Sequence, residues 1–202
     1  MKKQNIYRLT VAGMLVALEV ILAFTPLGYL KVGLLSITFM TVPIIIGSIT
    51  SGVSIGAILG LTFGVTSFLQ CFGMDAFGTT LFQLKPVATF IMCVVTRTLM
   101  GLLCGLIYKG LAKTKLPQPV SAGIAAFSAP FLNTVFFMAT LIGFFWNTEY
   151  IQSTADTLSA GGSVFKFLIA LVGINGIVEW IACTVIGAAI AVPVARAIKK
   201  VK

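Results

Sequence analysis

Two charged residues, Arg97 and Glu179, fall deep inside long apolar runs, and the amides of Asn133 and Asn175 fall at comparable positions in theirs. Counting 1.5 Å of helical rise per residue, Arg97 and Glu179 lie roughly 16–22 Å below one bilayer surface, with Asn133 near that depth. Asn175 precedes Glu179 by one helical turn and shares its face. A charge at such depth is costly unless it is paired or faces a cavity, so intramembrane ionisable groups mark partners, pathways or ligands. One reading is an outward-opening polar pocket. There Arg97 binds an anionic group through charge-assisted hydrogen bonds. Asn133 and Asn175 bind amide or hydroxyl groups, and Glu179 orients Arg97 or accepts from ligand hydroxyls. The other reading is an Arg97–Glu179 ion pair that pins the bundle. Gln83 and Lys85 close an outer segment and are further candidates for touching a solute, as are Tyr29 and Asp75. Glu19, near the outer end of the first apolar run, is either a supporting acceptor or a solvated residue.

Other chemistries find no residues to carry them. The chain has no histidine, and its cysteines (Cys71, Cys93, Cys104 and Cys183) form no CxxC pair. No metal site or redox centre is expected from that inventory, and the cysteines read as small packing residues. No Walker sequence is present, so ATP hydrolysis is not expected of this chain. No HExxH or GxSxG sequence nominates a hydrolase, and no cofactor is implied.

The elements that must hold these residues are membrane helices. Of 202 residues, 58% are hydrophobic and 9% charged, against about 25% charged in soluble domains. That leaves too little polar surface to cover a water-soluble globule, whereas lipid accepts apolar side chains. The apolar runs predict six transmembrane helices: about 5–25, a short one at 37–49, 53–72, 86–108, 120–146 and 164–198. Pro86 suits the first turn of the fourth. Loops are expected at 26–36, 73–84 and 147–163, and a basic linker with Pro117 and Pro119 separates two halves of three helices. The whole of 1–202 reads as one membrane domain. The MKK start resembles a signal peptide, but Glu19 interrupts the apolar stretch and no cleavage site follows, so a retained helix is expected.

Basic residues are distributed unevenly along this arrangement. Ten cluster at the two termini and the 109–115 linker (Lys2, Lys3, Arg8, Lys109, Lys113, Lys115, Arg196, Lys199, Lys200, Lys202), against Lys31, Lys85 and Lys166 in the other loops. The positive-inside rule then places both termini in the cytoplasm and the longer loops outside. The net charge of +9 is accounted for by these flanking clusters. No stripe of interleaved aromatic and basic residues points to nucleic acid. Phe136, Phe137, Phe144, Phe145 and Trp146 read as lipid-facing or interfacial, with room for one or two of them to wall a ligand.

Small residues recur every four positions at Ser48, Gly52, Gly56, Gly60 and Gly64, and again at Gly13 and Ala17. That spacing lines one helix face, where a neighbouring backbone approaches closely. The contact is either packing inside the bundle or docking on a second membrane protein.

With these residues in view, the chain resembles the substrate-specific S components of energy-coupling factor (ECF) vitamin transporters. The resemblance rests on six helices in about 200 residues and on a short second helix entered through Gly28-Tyr29-Leu30 and Ser36-Ile37-Thr38. It also includes the Gly-rich run Gly56 to Gly64. Among those proteins it is most similar to the pantothenate type, through Arg97, Asn133-Thr134 and the Asn175-to-Glu179 run. The resemblance implies an all-α integral membrane fold in a bacterial cell membrane and a vitamin, pantothenate, bound on the outer side. It also implies delivery by docking on a transmembrane coupling subunit driven by two ATPases. It maps docking onto Gly13 and Ala17, where the family prefers alanine at both positions. Riboflavin would call for more stacking groups, and folate for a second cation. An intramembrane enzyme using Glu179, or a structural subunit, are the readings from other classes.

Overall fold

The computed structural model describes residues 2–32, 35–160 and 162–200, with side chains described except at 2–5, 30–37, 174–175 and 199–200. The apolar runs form helices because a bilayer leaves every backbone polar group to be satisfied within its own segment. In order, these are α1 (Lys2–Ala23), α2 (Thr41–Thr50), α3 (Val53–Gln70), α4 (Ala76–Leu84), α5 (Pro86–Leu111), α6 (Gln118–Phe145), α7 (Glu149–Thr157) and α8 (Val164–Lys200). Among the described residues, five stretches are long and apolar enough to cross a membrane: Ile6–Ala23, Val53–Gln70, Pro86–Leu111, Gln118–Phe145 and Gly176–Ile198.

The sequence expectation of a short second helix is met by α2, whose ten residues are all buried. At 1.5 Å per residue it is about 15 Å long, half a bilayer core. Its lack of any lipid-facing side follows from its composition, which is apolar all round and so finds protein on every face.

Three segments expected to be irregular are ordered. Within 26–36, β1 (Tyr29–Val32) pairs antiparallel with β2 (Leu35–Thr38), Tyr29 opposite Thr38. This short hairpin sits on an otherwise helical bundle. The segment 73–84 contains α4, started by Asp75, whose carboxylate accepts the Gly78 N–H at 2.7 Å. An Asp at N-cap satisfies one of the orphan amides of a helix start. The polar stretch 147–163 contains α7, anchored by buried Ile151 and Ala155.

The glycine series divides once folded. Ser48 lies on α2, and Gly52 is the turn residue before α3, with φ +102°. Gly56, Gly60 and Gly64 face α5: an added Cβ would stand 2.6 Å from the Gly101 carbonyl oxygen, 2.3 Å from that of Arg97, and 2.7 Å from Val94 Cα. Gly56, Gly60 and Gly64 therefore serve a close contact inside the bundle, while Gly52 meets nothing within 4 Å.

Candidate ligand-binding site

A cavity of about 660 Å³ opens at the end of the bundle where α1 and α3 stop and α4 begins. That volume is within the range of small-molecule sites. Its walls come from the end of α1 and the segment that follows it, the hairpin, α3, α4, α5, α6 and α8. Arg97 is the only Lys or Arg among the described residues lining it, alongside the acidic Asp75 and Glu179.

The position of Arg97 is built by three neighbours. Gly60 lets α3 come against the Arg97 carbonyl, fixing how close the backbone of α5 can approach. Phe63, one turn along α3 and fully buried, lies beneath the guanidinium, with the ring centroid 4.6 Å from Cζ. Such cation–π contact is worth more when both partners are desolvated. The third support is a π-helical turn, Ile91–Val95, inside α5. There the Thr96 N–H reaches the Ile91 carbonyl, so the Met92 carbonyl is released from its ordinary helical donor. Thr96 Oγ1 and Arg97 Nη1 take it instead, the latter at 3.0 Å, and Nη1 also reaches the Cys93 carbonyl at 3.3 Å. Single π turns inside α-helices recur at functional sites. Arg97 Nε is buried with no hydrogen-bond partner.

Among the described residues, the alternative reading of an Arg97–Glu179 ion pair is not the arrangement found. Both line the cavity, but Glu179 Oε2 accepts the Thr38 N–H at 3.0 Å. One turn further along α8, Cys183 Sγ donates to the Thr38 carbonyl at 3.3 Å. Two side chains of α8 therefore clamp the last residue of β2, and the buried arginine is left without a carboxylate partner among the described residues.

Asn133 lines the cavity from α6, half-buried. Beside it, Thr134 Oγ1 donates to the Pro130 carbonyl and accepts from Trp180 Nε1 at 3.0 Å, tying α6 to α8. Tyr29 lines the cavity, its hydroxyl buried and unpartnered. Asn175 is within α8, two residues past Gly173, whose φ of +39° kinks the helix; its side chain lies outside the described residues. Gly176 next to it does line the cavity.

Other candidates are placed elsewhere. Gln83 is exposed on α4, and Lys85 donates to the Phe144 carbonyl at 2.7 Å, both outside the cavity lining. Glu19 is fully buried against the bundle with neither oxygen partnered, also outside the lining. Gly13 and Ala17 are exposed on α1, while Ala12, Leu15, Glu19 and Ala23 make its buried face. Of the aromatic cluster on α6, Phe137 walls the cavity and Phe145 is buried in the core. Phe63, Thr38 and the pair Cys71 and Cys93 line it without having been expected. Phe63 had a signal, being three residues after Gly60 on the glycine-lined helix; the others depend on non-local packing.

Residues 7–191 match the family described as "ECF transporter, substrate-specific component". The chain belongs to that family, and it is a transporter subunit of the membrane rather than an enzyme. Among curated proteins it is 30% identical over 155 residues to the "Pantothenic acid transporter PanT" of Lactococcus lactis subsp. cremoris (strain MG1363), an alignment covering 70% of this chain and 75% of that one.

Proposed function

We propose that this chain captures pantothenate from outside the cell. It spans a bacterial plasma membrane as one domain of six helical elements, α2 the short one, with both termini in the cytoplasm. The observation that carries the substrate is the cavity's sole described cation, Arg97, which is buried and has no paired carboxylate. A buried, unpaired charge is unfavourable, and an anionic ligand relieves it. Pantothenate has one carboxylate, two hydroxyls and an amide. Arg97 would take the carboxylate, with Asn133 and Tyr29 lining the cavity for the hydroxyls and amide, Asn175 assigned with them from its place in the sequence of α8, and Glu179 holding the hairpin over the site. The relative named as a pantothenic acid transporter supports the same solute. Release on the cytoplasmic side follows docking, through the Gly13–Ala17 face of α1, on a transmembrane coupling subunit driven by two ATPases.

The test is titration of the purified chain with pantothenate, riboflavin and folate, read by calorimetry and thermal shift. Saturable stabilisation by pantothenate alone is expected, since a ligand that binds the folded state raises its stability. Arg97→Ala should weaken binding about 10- to 150-fold, the worth of one hydrogen-bonded charge contact of about 1.5–3 kcal/mol. Saturable binding of another vitamin, with none of pantothenate, would overturn the substrate.

A further inference from the structure

Two of the chain's four cysteines meet in the cavity wall. Cys71 closes the C-terminus of α3, Cys93 is the middle residue of the π turn, and their sulfurs lie 4.0 Å apart. Both are free thiols, buried beneath the protein surface, and both line the cavity that holds Arg97. The remaining two are engaged separately, Cys104 with the Ala125 carbonyl and Cys183 with that of Thr38. We propose that Cys71 and Cys93 are a redox-active dithiol, closed to a disulfide by a small-molecule disulfide entering the cavity, and that closure weakens ligand capture.

The chemistry balances as ordinary exchange. One cysteine thiolate attacks a sulfur of the oxidant RSSR, breaking its S–S bond and releasing one RSH. The second cysteine thiolate then displaces the other RS group from the mixed disulfide. The cysteines lose two electrons and two protons, and both appear in the two RSH produced. In the orientation proposed above, the cavity opens toward an oxidising compartment, where such bonds persist.

The geometry says which side moves. A disulfide holds its sulfurs about 2.05 Å apart, so the pair must close by about 2 Å. Cys71 is backed by α4: a Cβ on Gly78 would lie 2.7 Å from its sulfur, and Asp75 caps that helix. Cys93 sits in the π turn, whose ladder is already irregular and whose Met92 and Cys93 carbonyls carry the Arg97 guanidinium. Closure therefore draws on the π turn and displaces Arg97. The effect on capture rests on the cavity being the ligand site, whereas formation of the disulfide does not.

The experiment treats the full-length chain in detergent with oxidised glutathione, with and without saturating pantothenate, followed by intact mass and peptide mapping. Pantothenate affinity is measured before and after, and again after reductant. Expected are a loss of about 2 Da and a crosslinked 71–93 peptide. Pantothenate should slow its formation, and the Kd should rise about tenfold and recover on reduction. In Cys71→Ser the ratio of treated to untreated Kd should fall to about one. Absence of the 71–93 crosslink overturns the dithiol, and a crosslinked chain with unchanged Kd overturns the switch. A crosslink that forms equally fast in a chain that never binds pantothenate supports the dithiol and refutes the ligand reading instead.

Discussion

Replacing Gly60 by alanine puts a methyl group where the folded chain has another backbone. Its carbon would lie 2.3 Å from the Arg97 carbonyl oxygen, 3.1 Å from the Arg97 carbonyl carbon and 3.2 Å from Thr98 Cα. None of these atoms belongs to a flexible side chain, so α3 and α5 must separate. Ordinary contact begins at 3.4 Å, so the separation needed is about 1 Å, in a close-packed interior where overpacking costs about 1–3 kcal/mol. The displaced atoms belong to Arg97 itself, and Phe63, stacked on its guanidinium, is one turn away on the moving helix. Gly60→Ala should therefore lose stability by about that amount and weaken pantothenate binding about tenfold or more, since a 1 Å error at a charged contact is comparable to losing part of it. The comparison is Gly13→Ala, where an added Cβ meets nothing within 4 Å. Thermal unfolding in detergent and calorimetric titration of both variants read the two effects. If Gly60→Ala is as stable as the parent and binds equally well, or if Gly13→Ala loses as much, the account of how Arg97 is positioned is wrong.

Glu179→Ala should free the end of β2 by removing the acceptor of the Thr38 N–H, a loss of about 1–3 kcal/mol if that amide stays buried. Hydrogen exchange across Tyr29–Thr38 should then accelerate, while Glu179→Gln, which keeps an acceptor oxygen, should stay near the parent rate; equal exchange in both variants would contradict the clamp. Gly13→Leu combined with Ala17→Leu changes an exposed stretch of α1. Pantothenate binding by the isolated chain should persist, while co-purification with the coupling subunit should fall about tenfold or more. Undiminished co-purification would move docking to another face.

How much was legible in the sequence differs between helices and contacts. Membrane residence and the five long spans follow from local composition, because a bilayer imposes its requirement on each segment independently. The depth of Arg97, Asn133 and Glu179 is equally local, being helical rise counted from a run's end, and all three do line the cavity. The four-residue glycine period announced a close helix contact, but the sequence left open which partner it served.

Tertiary structure decided what each polar group bonds. Glu179 and Arg97 look like a pair by charge and depth, yet Glu179 takes an amide from a hairpin 141 residues away in sequence, and Arg97 takes carbonyls that a π turn released. Neither the hairpin nor the π turn has a period in the sequence, since both depend on neighbours outside their own segment. Gln83 and Lys85 sit near the cavity in sequence order but outside its wall, because α4 folds where a loop was expected. Cys71 and Cys93 meet for the same reason. Their contact is set by how α3, α4 and α5 pack, and no spacing rule within one helix encodes a distance between three.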